Sequence, residues 1–245
     1  MIRTILVLLV VLIFFLFFSI PLYLILWIVG KFDMHKRSVW AQAIVVFVLK
    51  IILFVSGTKL IVRGREKIPR DRAVVYVGNH TSYYDVIIGY TLAADITGFI
   101  AKKEFKKIPF LNWWMYFVNC LFLDRDDTKD GLRVILEGIK MLKNGISIFV
   151  FPEGTRSKTG RMLPYKEGTM KLAEKSGAPV VPVAFAHSAE VYEQHVPYIK
   201  RATVLVELCD PIFMENLTKE EKRGLGVMAH DIVQAKADEL MAEEI

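Results

Sequence analysis

Ala73-Val74-Val75-Tyr76-Val77-Gly78-Asn79-His80-Thr81-Ser82-Tyr83-Tyr84-Asp85 is the stretch on which the fold turns. It opens as a short apolar run, passes through a polar loop, and enters a segment over 83–92 whose apolar residues recur at helical spacing. The same order repeats along the chain. Apolar runs over 73–77, 97–101, 120–123, 147–151, 180–185 and 203–208 predict strands, and the patterns over 83–92, 130–142, 167–176 and 219 to about 241 predict helices. Strands alternating with helices through short loops imply an α/β fold, with a largely parallel or mixed sheet flanked by helices.

A chain of 245 residues has enough material for a sizeable core. Hydrophobic residues make up 53% and mean hydropathy is +0.37, yet 24% of residues are charged, so the apolar excess is concentrated in one region. Disorder and a polytopic membrane protein are both excluded. The net charge of +6 suits an anionic membrane surface, a phosphorylated substrate or an acidic partner, and does not argue for nucleic acid. Cys120 and Cys209 are the two cysteines and form no C-x-x-C pair, which leaves neither a disulfide framework nor a zinc site and suits free thiols in a reducing cytosol.

The apolar excess lies at the start. Residues 4–30 carry no charge, about 40 Å of helix at about 1.5 Å per residue, and the run closes on Ile25-Leu26-Trp27-Ile28-Val29 rather than on the small residues of a cleaved signal. Pro21 is expected to bend or split this helix. A second apolar stretch over 39–55 is interrupted by Gln42 and Lys50 and reads as interfacial. Lys31, Lys36 and Arg37 between the two face only Asp33, and a full hairpin of spans would put that basic loop on the far side from a basic domain. Two helices seated in one leaflet, on the cytoplasmic face of the cell membrane, fit better than one true span followed by a surface helix. Gly57, Gly64 and Pro69 then mark a change of character, which gives a two-helix anchor over 1–58 and an α/β domain over 59–245. That domain is expected to fold without the anchor.

Two segments carry chemistry. His80 and Asp85 leave the first strand at its carboxyl end, where α/β proteins place ligands. A carboxylate on one imidazole nitrogen fixes the tautomer and leaves the other as a base. Five residues on a regular helix point about 140° apart, so the chain must turn between them, with His80 in the loop and Asp85 in the first helical turn. Helix capping by the same residues is the alternative reading. The turn Phe151-Pro152-Glu153-Gly154-Thr155-Arg156-Ser157 offers a guanidinium, hydroxyls and backbone amides to an oxyanion or phosphate, and lacks the spacing of a P-loop. Its alternative is a surface turn with a local ion pair. His35, His187, His195 and His230 have no partner at metal or triad spacing, and the aromatic run Trp113, Trp114, Tyr116 and Phe117 fits either a core or the headgroup level of a membrane.

Taken together, these segments resemble the glycerolipid acyltransferases, and specifically the bacterial 1-acylglycerol-3-phosphate acyltransferases. The family's N-H-x-S-x-x-D block is matched by Asn79, His80, Ser82 and Asp85, and its F-P-E-G-T-R-S block by Phe151 to Ser157. A second block is similar to Ala101-Lys102-Lys103-Glu104-Phe105 through Leu123-Asp124-Arg125, with Asn112 and Asn119 where glycines are common, and a fourth to Val180-Val181-Pro182-Val183-Ala184. Asn tolerates left-handed backbone, so those turns are expected to survive. The resemblance implies that His80 takes a proton from the acceptor hydroxyl and that Asp85 orients it. The hydroxyl then attacks the thioester of an acyl-ACP or acyl-CoA directly, with no acyl-enzyme, cofactor or metal. It also implies that Glu153, Gly154, Thr155 and Arg156, with Arg125, hold a glycerol phosphate, and that Lys102 assists the phosphate or the oxyanion. The implied acceptor is a lysophosphatidic acid drawn from membrane lipid, with glycerol 3-phosphate or another lysophospholipid as alternatives and a non-catalytic lipid-binding protein as the reading outside the enzymes. Lys106, Lys107, Lys129, Arg133, Lys140 and Lys143 read as a solvated face or a dock for an acidic carrier.

Overall fold

Val74 and Tyr76 point to one face of a central strand and Val75 and Val77 to the other, and all four are buried. Both faces are therefore covered, which is why this strand reads as a continuous apolar run rather than an alternating one. A computed structural model describes residues 1–159 and 161–244. In chain order the elements are α1 (Ile2–Ile13), a π-turn (Phe14–Phe18), α2 (Ser19–Phe32), α3 (Met34–Ser56), β1 (Lys59–Arg63), β2 (Val75–Gly78), α4 (Tyr83–Leu92), β3 (Thr97–Lys102), α5 (Leu111–Phe117), β4 (Leu121–Leu123), α6 (Thr128–Lys143), β5 (Ser147–Val150), α7 (Glu167–Ser176), β6 (Val180–Ala186), β7 (Thr203–Leu208), α8 (Lys219–Arg223) and α9 (Leu225–Met241).

The seven strands form one sheet in the order β1-β7-β6-β2-β5-β3-β4. Every neighbouring pair is parallel except β6 with β7, so the expected mixed and largely parallel sheet is the one found. The carboxyl ends of β6, β2, β5, β3 and β4 consequently share one edge. Residues of α1 to α5, among them Val7, Leu26, Ala41, Ile88 and Trp114, cover the face to which Tyr76, Phe99 and Phe149 point. Residues of α6, α7 and α9, among them Leu142, Leu172 and Ala229, cover the other. Two elements depart from the sequence reading. β1 begins and ends on cations and looks like a linker until β7 pairs with it, and α5 is the aromatic run, with Trp114 and Phe117 buried and Tyr116 exposed.

Pro21 does not split the first helix. The helical run is continuous from Ile2 to Phe32, and it widens into a π-turn at Phe14–Phe18, just upstream of Pro21, where the Ser19 N–H donates to the Phe14 carbonyl. The second run is longer than expected, a single helix of 23 residues. Gln42 does not interrupt it toward solvent. Its amide is buried, donating to the Asp95 carbonyl at 2.6 Å and accepting the Thr97 N–H at 2.7 Å. Both ends of the helix pair touch the α/β domain. Near one end the Ile199 N–H donates to Thr4 Oγ1 at 2.8 Å, midway the Trp114 indole donates to Ser19 and the Tyr23 ring lies 4.6 Å from Trp113, and near the other end Arg37 lies 5.2 Å from the Phe117 ring centroid. The expectation of a domain that stands without its anchor meets a different arrangement here, since the helices close one face of the sheet. Their outer surface exposes Ile5, Leu8, Leu12, Phe17, Leu24 and Ile28, an apolar area of the kind that associates with a membrane.

Asn119 takes a left-handed backbone with φ of 58°, as a glycine would, whereas Asn112 sits inside α5 and the positive φ falls on Phe110 instead. The Asn119 carbonyl presses on Gly98, where a Cβ would meet it at 2.1 Å. Because that neighbour is backbone and cannot rotate away, Gly98→Ala is expected to destabilise by about 1–3 kcal/mol. A fall of several degrees in Tm checks this.

Candidate active site

The loop after β2 is tied down residue by residue. Asn79 exchanges two hydrogen bonds with the Phe185 backbone of β6, its Nδ2 donating to the carbonyl at 2.9 Å and its Oδ1 accepting the N–H at 2.8 Å. Ser82 caps α4 by accepting the Tyr84 N–H at 3.0 Å, and Asp85 accepts the N–H groups of Thr81 and Ser82 at 2.8 and 2.7 Å. The Asp85 oxygen that takes both amides also lies 2.9 Å from His80 Nδ1. Capping and pairing are thus one arrangement rather than alternatives, because the carboxylate that completes the helix turn is the one that holds the imidazole. Asp85 is fully buried, and its other oxygen has no partner among the described residues. With Nδ1–H donating to Asp85, Nε2 carries the lone pair and is the basic atom of the ring.

The second segment locks onto the first. His80 stacks on Phe151 with ring centroids 4.1 Å apart, and its carbonyl accepts the Ser157 N–H at 2.8 Å. Glu153, implied as a substrate ligand, is held by the backbone of both segments. One of its oxygens accepts the His80 backbone N–H at 2.7 Å and the other the Leu163 N–H at 2.8 Å. The side chain is buried, and that burial pushes its pKa up against the pull of the two amides. A carboxylate that accepts two loop amides braces the site, and each of its oxygens keeps a further lone pair. Gly154 makes the tight turn above it with φ of 74°, and Thr155 is exposed.

Arg156 is held from two sides. Its Nη1 donates to Glu193 at 2.8 Å and its guanidinium carbon lies 3.7 Å from the centroid of the Tyr83 ring. Glu193, Tyr83 and Lys166, whose ammonium end packs over Gly154, were not singled out by the sequence. They come from a short turn after β6, from the first position of α4 and from the residue before α7, and no spacing rule links those places. Lys102 ends β3 and Arg125 lies two residues beyond β4, on the same edge. At about 4.8 Å between strands they start two and three strands from β2, roughly 10 and 15 Å along the edge, and neither is hydrogen-bonded to the His80 group among the described residues. Burial pulls the Arg125 pKa down, with Glu104 opposing it. His187 also departs from expectation, since Glu190 lies 2.7 Å from its Nδ1.

Three comparisons bear on this geometry. An acyltransferase family model matches residues 59–186, from β1 to the end of β6, and so includes both segments. The 1-acyl-sn-glycerol-3-phosphate acyltransferase of Borreliella burgdorferi is 29% identical over 191 residues, covering 78% of this chain and 76% of that protein. The enzyme of the same name from Escherichia coli is 29% identical over 170 residues, 69% of each chain. The crystal structure of the 1-acyl-sn-glycerophosphate acyltransferase PlsC from Thermotoga maritima superposes with a TM-score of 0.85 at 27% identity, covering 99% of this chain and 96% of that one. A match over more than half the chain, carrying the paired His80 and Asp85 and the turn that packs on them, means that this protein belongs to the acyltransferase family.

Proposed function

We propose that the protein transfers a fatty acyl group from an acyl-ACP or acyl-CoA thioester to the sn-2 hydroxyl of 1-acylglycerol 3-phosphate, giving phosphatidic acid. The observation that carries this reading is the His80 Nδ1 contact with Asp85 at 2.9 Å, which leaves Nε2 as a base beside a turn bearing the Arg156 guanidinium. Nε2 removes the hydroxyl proton as the oxygen attacks the thioester carbon. The tetrahedral intermediate then expels the thiolate, which takes the proton back from the imidazolium stabilised by Asp85. A covalent route has poor support. Cys120 and Cys209 are both buried, and desolvation raises both thiols, Cys209 to about 11.

Arg156, with Lys166 and the amides around Gly154, suits the acceptor phosphate, and Glu153 acts by holding the turn against His80. Lys102 and Arg125 lie where a longer substrate would run along the sheet edge. Assaying the purified protein with glycerol 3-phosphate, lysophosphatidic acid and lysophospholipids of larger headgroup, each with both thioesters, tests the acceptor and the donor together. Arg156→Lys is expected to raise acceptor KM by about tenfold or more, because an ammonium reproduces neither the fork nor the stack on Tyr83. A rise confined to donor KM assigns the turn to the other substrate.

The anchor reading is monotopic, with the helix pair in the cytoplasmic leaflet. A helix pair that crossed the bilayer would carry its tip about 30 Å away from the domain, yet here residues just past the tip meet it, Arg37 lying 5.2 Å from the Phe117 ring centroid and Ser38 Oγ donating to Asn119 Oδ1 at 3.4 Å. A pair lying along the domain keeps His80 at the depth of a lysolipid headgroup.

A further inference from the structure

Glu193 is an acidic residue set against the cation that the proposed function assigns to an anionic substrate, and by charge alone that is the wrong place for it. Its carboxylate is mostly enclosed, at 18% side-chain exposure, and makes three contacts. It accepts the Ser82 hydroxyl at 2.6 Å, the Tyr83 N–H at 2.8 Å and Arg156 Nη1 at 2.8 Å. Two of those donors belong to the first turn of α4, the turn completed by Asp85. The third is the guanidinium on the Tyr83 ring. A single hydrogen bond occupies one N–H of a five-donor group, so most of the fork stays available. The turn bearing Glu193 is itself anchored, since the Lys200 N–H donates to the Val191 carbonyl at 2.9 Å and the neighbouring Ile199 N–H to Thr4 of α1.

We propose that Glu193 is a positioning residue for acceptor binding. It fixes the Arg156 guanidinium against Tyr83 so that the remaining donors meet the phosphate as a preformed fork, and it registers that fork against the helix turn holding His80 and Asp85. This rests on the reading of Arg156 as the phosphate ligand. Two effects of opposite sign make the idea sharp. Removing a negative charge beside an anion lowers acceptor KM by Coulomb's law alone, whereas releasing the guanidinium raises it through lost order.

The test is a double-mutant cycle on full-length protein in mixed micelles, with a 1-acylglycerol 3-phosphate as acceptor. Glu193→Gln leaves one oxygen, at the Oε1 position, for the Tyr83 N–H and Arg156 Nη1, turns its amide nitrogen to the Ser82 hydroxyl oxygen, and removes the charge that holds Arg156. It is expected to raise acceptor KM by about tenfold, with a smaller change in kcat and no shift of the acidic limb of the kcat profile. In an Arg156→Gln background the same substitution is expected to change acceptor KM little or to lower it. An unchanged or lower KM in the single variant, or an equal rise in both backgrounds, overturns the positioning role. If Arg156→Gln alone leaves acceptor KM unmoved, the reading of the turn fails instead. Should Glu193→Gln fail to fold, Tyr83→Leu removes the opposite support from an exposed site and is expected to raise acceptor KM in the same background-dependent way. A rise that persists without Arg156 also overturns it.

Discussion

His80→Ala is expected to lower kcat by about 10² to 10⁴ with little change in acceptor KM, because it removes the proton acceptor and leaves the phosphate turn in place. The ring contributes its stack on Phe151 to stability, but the loop is held mainly by its backbone. The His80 N–H donates to Glu153 and its carbonyl accepts from Ser157, and both bonds survive the substitution. A kcat loss with a nearly unchanged Tm is therefore the expected signature. Asp85→Asn should be as damaging to turnover and worse for stability, since one oxygen of Asp85 receives the Thr81 and Ser82 amides as well as His80. An Asn oxygen can take the same three donors, but the amide nitrogen then lies buried without an acceptor where the unpartnered oxygen was, and loss of the charge weakens both the cap and the tautomer. Near wild-type turnover in either variant, or a trapped acyl-enzyme from labelled donor, would defeat the direct-attack mechanism.

The legible part of this protein is the part written in local pattern. The central strands and the helix after β2 follow from apolar runs of the right length, and the spacing of His80 and Asp85 requires the turn that the structure contains. Even the departure at Asn119 followed from backbone preference, since it carries the left-handed φ expected of it. What the sequence hid depends on partners distant in the chain. β1 is a strand because β7 pairs with it across some 140 residues, and an edge strand with cations at both ends has no apolar signature of its own. For Glu153 the ligand role came from the family resemblance alone. Its actual partners are two backbone amides, and backbone amides leave no mark in a sequence. Glu193 is hidden for the same reason, being one acidic residue in a short turn whose three donors lie 37 to 111 positions away.

Removing Met1 to Thr58 is expected to destroy the fold, not merely the membrane attachment. The sequence separates anchor from domain by composition, but the packing joins them. Val7, Leu26, Ala41, Ile52 and Leu53 are buried in the same core as Val74, Tyr76 and Phe149, so the deletion strips the cover from one face of the sheet. Truncating one large buried apolar side chain costs about 2–5 kcal/mol. Losing Val7, Leu26, Ile52 and Leu53 together costs about 8–20 kcal/mol, as much as the 5–15 kcal/mol by which a domain is stable. The Thr97 N–H and the Asp95 carbonyl also lose Gln42, and a buried backbone amide without a partner costs about 1–3 kcal/mol. The expected result is an aggregating chain without a cooperative thermal transition, in detergent as well as in buffer. Gln42→Ala isolates the polar part of this argument without touching the apolar surface, and should lower Tm by several degrees while the protein still partitions with membranes. A soluble fragment beginning at Lys59 with a sharp transition and activity on short-chain acceptors would overturn the joined core and return the helices to the role of a detachable anchor.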